Sequence, residues 1–228
     1  MSIGDNWYVS DLHLTHENVD MDGNKRGIIH FERTKFKTIE EHDDYIHERL
    51  LGWAEKHTGS TLWVLGDYGD IRKLYYMQEV RSYGITVNFI MGNHDRKCYL
   101  DLYKQYFDNV YEHPIYLNDR VILSHEPQYP LPTGCINIHG HLHGAVLEDK
   151  HYKNVSIAEI GYQPISDKVV SKMLGSVPKA SYKFLREPYR GLYRFTQPKE
   201  DVVYSQTGRI KLKESIAKFN KINGTRIQ

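Results

Sequence analysis

Between residues 6 and 139, short apolar runs recur along the chain, and a polar cluster cuts off each one. NWYVS (6–10), TLWVL (61–65), ITVNFIM (85–91) and RVILS (120–124) are rich in β-branched and aromatic residues and read as strands. The shorter INIH (136–139) follows the same rule, and a further strand is expected at 154–158. Helical periodicity fills the gaps. Behind a Thr38-Ile-Glu-Glu41 capping box, Ile39, Ile46, Leu50, Trp53 and Ala54 form one stripe that ends near Gly59. Further helices are expected at 71–82, about 97–107 and about 166–174. Pro114–Leu117 and Arg120–Ser124 flank Asn118-Asp119 and read as a hairpin. Residues 18–37 and 126–134 are expected as loops. Helices between the early strands favour an α/β fold, and the later hairpin makes its sheet mixed.

Composition adds limits. With 228 residues, 40% hydrophobic and 26% charged, the chain can bury one sizeable core. No apolar run approaches the roughly 20 residues of a membrane span, so no membrane partner is expected. The N-terminal stretch runs straight into a strand and a motif, and only Cys98 and Cys135 are present, without a CxxC. A cytoplasmic protein with free thiols is therefore expected, in the host cytoplasm if phage-encoded. Charge divides the chain in two. Residues 176–228 hold 12 Lys/Arg against 4 Asp/Glu, whereas residues 1–175 hold 18 against 25. The expected organisation is an acidic domain at 1–175 and a basic, aromatic extension at 176–228. Rings such as Tyr182, Phe184, Tyr189, Tyr193 and Phe195 would pack on that domain or on a second subunit. The alternative is contact with nucleic acid.

The polar clusters carry the chemistry. In order they read Asp11-Leu-His13, Gly66-Asp67-Tyr-Gly-Asp70, Gly92-Asn93-His94-Asp95, Ser124-His125 and Gly140-His141-Leu-His143. Each alone is weak evidence; a Gly-Asp after a strand is usually a turn. Five of them at five strand ends deliver carboxylates, an amide and imidazoles to one rim, the donor mixture that borderline divalent metals accept. Two adjacent cations need a shared carboxylate, and Asp67 is the best-placed candidate. Asp11 and His13, like His141 and His143, are two residues apart, so a locally extended backbone would point both to one side.

With these clusters in this order, the chain resembles the calcineurin-like metallophosphoesterases, whose pattern is DxH, GDxxD, GNH[DE], a lone His and GHxH. DLHLTHEN, RTKF, LGDYGD and Ser124-His125-Glu-Pro127 are similar to the short branch found in bacteria and bacteriophages, although Thr34-Lys35 departs from its Arg-Pro-Phe. The resemblance implies a four-layer αββα sandwich with two mixed β-sheets and a dinuclear metal site at the strand ends. It implies that Asp11, His13, Asp67 and His143 hold one divalent ion and that Asp67, Asn93, His125 and His141 hold the other. Mn²⁺ is the leading metal, with Fe, Zn or Ni as alternatives. His94 would act as general acid, oriented by Asp95; alternatively Asp95 caps the helix starting near Lys97. His16, Arg33 and Arg96 are candidates for substrate binding, with surface positions as the alternative. His30, His42, His47, His57, His113 and His151 match no motif.

The implied reaction is hydrolysis of phosphate esters, foremost phosphodiesters of nucleotides or nucleotide-like molecules, by metal-activated water. A nuclease or nucleic-acid end phosphatase using the basic tail is one alternative. A non-catalytic, metal-binding interaction scaffold is another. Oligomeric state is left open.

Overall fold

Two mixed sheets carry the protein. The computed structural model describes residues 5–177 apart from 20, 21 and 23, so the basic extension lies, from residue 178 onward, outside the described residues. In chain order the elements are β1 (Asn6–Val9), β2 (Glu17–Val19), β3 (Lys25–Gly27), α1 (Ile28–Phe31), α2 (Ile39–Ala54), β4 (Thr61–Val64), α3 (Tyr75–Ser82) and β5 (Thr86–Ile90). They continue with α4 (Leu100–Tyr106), β6 (Asn109–Tyr111), β7 (Ile115–Asn118), β8 (Val121–Leu123), β9 (Ile136–His139), β10 (Tyr152–Asn154), β11 (Ile165–Ser166) and α5 (Asp167–Ser176). Single 3₁₀ turns at Ile71–Lys73 and Lys97–Tyr99 open the two segments expected as continuous helices.

The first sheet runs β11-β1-β4-β5-β6 and the second β10-β9-β8-β7. In the first, β1, β4, β5 and β6 are mutually parallel and only β11 is antiparallel. In the second, β8, β9 and β10 are parallel and β7 closes the expected hairpin with β8. Alternation of side chains then sorts the core into layers. Val9, Leu62, Val64, Val87 and Phe89 face Ile46, Leu50, Trp53, Met77, Val80 and Tyr103 of α2, α3 and α4. Their neighbours Tyr8, Trp63, Leu65 and Ile90 meet Val121, Leu123, Ile136 and Ile138 of the second sheet, with Val170 of α5. On the far side of the second sheet, Ile122 and Tyr152 pack under Tyr129, Leu131, Leu142 and Leu147. These covering residues belong to loops, so no helix lies on that face among the described residues.

Local chemistry explains the element ends. Thr38 Oγ1 accepts the Glu41 N–H at 3.1 Å and starts α2. In return Glu41 Oε2 accepts the N–H of Lys37 at 2.8 Å, one residue earlier than a capping box requires. Asp167 begins α5 and ties it to β1 through the Asn6 N–H (3.1 Å) and the Tyr8 hydroxyl (2.5 Å). The stretch expected as loop at 18–37 contains the β2–β3 ribbon and α1. Among the described residues no helix is long and apolar enough to cross a membrane.

Candidate metal centre

All five polar clusters sit at carboxyl ends of strands that run parallel to a neighbour: β1, β4 and β5 in one sheet, β8 and β9 in the other. That edge is where open α/β sheets expose backbone and side chains to ligands. The local backbone is unusual. Among the described residues seven non-glycine residues have positive φ, and Asp11 (57°), His13 (49°), Asp67 (52°), His141 (68°) and His143 (48°) are five of them. The extended backbone expected for Asp11-Leu-His13 and His141-Leu-His143 is thus replaced by left-handed residues on either side of a buried leucine. Leu12 and Leu142 point into apolar clusters while the flanking side chains converge on the opposite side. Each left-handed residue costs about 1–2 kcal/mol relative to ordinary backbone, and in proteins generally such strain clusters at active sites and ligand clamps.

Two motif glycines are there for space. A Cβ on Gly92 would collide with the carboxylate and backbone N of Asp67. A Cβ on Gly140 would collide with Ser10 Oγ and the Asp11 carboxylate. Any side chain at either position would push an aspartate out of the cluster.

The donors fall into two groups that share Asp67. One comprises Asp11, His13, Asp67 and His143; the other, Asp67, His125 and His141, and in each the donor atoms lie within 4.8 Å of one another. In the first group His13 Nε2 is 3.1 Å from His143 Nε2, 3.8 Å from Asp11 Oδ1 and 3.5 Å from Asp67 Oδ2. In the second, His125 Nε2 is 3.3 Å from Asp67 Oδ2 and 3.2 Å from His141 Nδ1. Asn93 Oδ1 joins them at 2.8 Å from His125 Nε2 and 2.9 Å from His141 Nδ1. Two imidazole nitrogens each about 2.0–2.1 Å from one cation, at an angle near 90–100°, are separated by about 2.8–3.2 Å. The nitrogen pairs fit that spacing, so the residues present fit divalent cations.

Electrostatics agree with the geometry. Asp11 and Asp67 are buried at the centre, and isolated carboxylates are costly there. Burial pushes His13 well below its usual range and His141 down to about 3, holding both in the neutral form that ligates metals. At His125 burial also lowers the pKa, but the Asp67 carboxylate, with further help from Asp11 and the Leu65 carbonyl, outweighs it and carries the group up to about 10. A proton on His125 thereby supplies positive charge that a cation would supply to Asp67. The His125 Nδ1–H donates to the Leu65 carbonyl at 2.8 Å, leaving Nε2 turned toward the cluster.

The remaining site candidates divide. His94 lies at the rim, its side chain 52% exposed, with Nε2 4.0 Å from Asp67 Oδ2 and its N–H donating to Asp67 Oδ1 at 2.9 Å. The half-buried His16 ring is 4.9 Å from that of His13 and 5.5 Å from that of His94, and burial lowers its pKa to about 4. Arg96 is exposed and, with His94, Tyr99, Tyr103 and Asp70, whose carboxylate is paired with Arg72, lines a cleft of about 280 Å³ beside the centre.

Two expectations need correction. Asp95 neither orients His94 nor caps the turn at Lys97: its carboxylate accepts the N–H groups of Asp67 (2.7 Å), Tyr68 (3.1 Å) and Gly92 (2.7 Å), locking the Asp67 turn. Arg96 begins that turn, and no side chain caps it. Arg33 is not a substrate contact. It is 2% exposed and donates to the carbonyls of Leu12 (2.9 Å) and Asp11.

Sequence reasoning also missed several supports. Glu32 Oε2 bonds His143 Nδ1, and Ser156 Oγ donates to Asp11 Oδ2 at 2.7 Å. His42 and Asp43 are fully buried beneath the Asp11–Thr15 segment. An isolated Glu, Ser or His has no spacing signature, although the adjacent His42-Asp43 pair on the apolar side of α2 was a visible anomaly.

Among known proteins, no protein-family model and no curated protein matches the chain. A solved structure of a protein of unknown function, AQ665 from Aquifex aeolicus, is similar at a TM-score of 0.53 and 22% identity. The match covers 74% of this chain and 98% of that one, and the likeness concerns the fold alone.

Proposed function

We propose that the protein is a dinuclear-metal phosphoesterase that hydrolyses phosphate esters, foremost phosphodiesters of nucleotides or nucleotide-like molecules. The observation that carries this reading is the pair of donor groups sharing the buried Asp67, with a solvent-exposed histidine 4.0 Å from that carboxylate. A divalent pair bound there would lower the pKa of a water to near neutrality and draw charge from phosphoryl oxygens; Mn²⁺ is the metal of choice for testing.

The chain's own residues have separable tasks. Asp11, His13 and His143 on one side, and Asn93, His125 and His141 on the other, hold the cations, with Asp67 common to both. Asp95 and Arg33 keep the two aspartate turns in place from behind. His94, exposed above the shared carboxylate, can give a proton to a departing ester oxygen. The leaving group then lies in the cleft beside it, where Tyr99 offers a ring and Arg96 a positive charge for a second phosphate. A cleft of about 280 Å³ has room for a group of nucleoside size. Both cysteines are free thiols, which goes with a reducing compartment such as the cytoplasm.

The test is hydrolysis of bis(p-nitrophenyl) phosphate beside p-nitrophenyl phosphate, with Mn²⁺ and with an EDTA control. Metal-dependent turnover with a preference for the diester is expected. No turnover of either compound with Mn²⁺, Fe²⁺, Zn²⁺ or Ni²⁺ would leave a metal-binding scaffold as the better description.

A further inference from the structure

Glu32 and Arg33 are neighbours in the turn after α1, yet they reach two different ligand segments of the same donor group. Glu32 holds Nδ1 of His143, so the other ring nitrogen is directed to Asp11 Oδ1 at 3.6 Å and His13 Nε2 at 3.1 Å. Arg33 spans the carbonyls of Asp11 and Leu12 from beneath. Its Nη1 also donates to His42 Nε2 at 2.8 Å, which leaves the proton of that neutral ring on Nδ1, 2.9 Å from Asp43 Oδ1. Asp43 closes the circuit by accepting the N–H and the hydroxyl of Thr15, each at 2.9 Å. A continuous buried chain therefore runs from the carbonyl of Asp11 to the amide of Thr15, around a segment with three left-handed residues at 11, 13 and 15. On the outside of the same turn, Lys35 Nζ sits over the rings of Tyr162 (3.7 Å), Tyr45 (4.4 Å) and Phe36 (4.7 Å) and pins it to α2.

The other donor group is supported by different means. His125 is held by the main-chain carbonyl of Leu65, and the Asp67 turn by Asp95. The two halves of the centre share Asp67 and are joined by the His141 N–H, which donates to the Asp11 carboxylate at 3.1 and 2.9 Å, but Glu32 and Arg33 reach ligand segments of the Asp11–His13–His143 half.

We propose that residues 32–43 form a clasp dedicated to one of the two cation sites. In it, Glu32, Arg33, His42 and Asp43 are positioning residues that set the affinity of the Asp11–His13–Asp67–His143 site and leave the Asn93–His125–His141 site to its own supports. This rests on the metal-centre reading above. The physical reason is that a ligand histidine loses orientation and basicity when its second nitrogen loses a carboxylate, commonly about 10–100-fold in metal affinity. Arg33 acts alongside by holding the strained carbonyl ends of the segment in register, because the guanidinium plane serves two carbonyls and His42 together.

The experiment is Mn²⁺ titration by calorimetry on the full chain, comparing wild type, Glu32→Ala and Arg33→Lys, with circular dichroism on each. Wild type is expected to bind two Mn²⁺. Both variants are expected to keep one site within about twofold of its wild-type affinity and to weaken the other about 10–100-fold. Glu32→Gln, which preserves shape and removes charge, decides the point if alanine unfolds the chain. Wild type binding fewer than two ions overturns the metal-centre reading itself. Wild type binding two, with a Glu32 variant that keeps both affinities or weakens both equally, overturns the clasp and leaves that reading intact.

Discussion

Adding Mn²⁺ to the metal-free protein is expected to raise its melting temperature by about 10–20 °C. The magnitude follows from the site. Five left-handed ligand residues, at about 1–2 kcal/mol each, place about 5–10 kcal/mol of strain on a fold whose total stability is of order 5–15 kcal/mol. The donors come from five separate segments spread over residues 11 to 143, so the unfolded chain has no comparable site and binding stabilises only the folded state. At a free metal concentration about 100 times Kd, each site contributes about 2.7 kcal/mol, or about 5 kcal/mol for two. For a domain of this size each kcal/mol moves the midpoint by about 2–4 °C. The assay is thermal unfolding in EDTA and then in Mn²⁺, with Asp67→Asn and the exposed Glu159→Gln as companions. Asp67 belongs to both donor groups, so its amide variant should lose most of the shift, while Glu159→Gln should keep it. An unshifted wild type, or an Asp67→Asn protein that keeps the full shift, would refute the reasoning.

Other consequences are simpler to read. His94→Ala should retain both metals, because His94 is no ligand, and should lower turnover of the diester by about 10²–10⁴-fold; metal content and rate are measured on one sample. Gly140→Ala should lower metal affinity by displacing the Asp11 carboxylate, and should cost about 1–3 kcal/mol by overpacking, seen as a lower urea midpoint. Thiol titration of the folded protein should find one fast cysteine, the exposed Cys98. Cys135 is buried, its thiol pushed up to about 11, and should react only after denaturation.

Much of this centre was legible because strand ends announce themselves. The runs ahead of Asp11, Asp67, Asn93, His125 and His141 are apolar enough to be recognised, and parallel pairing then forces their carboxyl ends onto one rim. What spacing does not report is backbone handedness. An extended backbone was the natural expectation for His13 next to Asp11, yet both are left-handed; either conformation sends Leu12 into the core and its neighbours away from it, so the spacing does not distinguish them. Arg33 was a substrate-binding candidate through the resemblance of RTKF, with a surface position as the alternative, but tertiary packing buries it as a partner of main-chain carbonyls. Asp95 shows a related limit, because three backbone N–H groups compete with His94 for its carboxylate and only the fold reveals which side wins. The short β2, β3, β6 and β11 carry too few residues to display a period of two, so they were absent from the expected elements.

The most direct test of the central claim is anomalous diffraction from crystals grown with Mn²⁺, recorded at the metal's absorption edge. Two anomalous peaks about 3.5–4 Å apart, the usual spacing of paired catalytic metals, are expected on either side of the Asp67 carboxylate. Asp11, His13 and His143 should surround one, and Asn93, His125 and His141 the other. A single peak, or none at Asp67, would contradict the account.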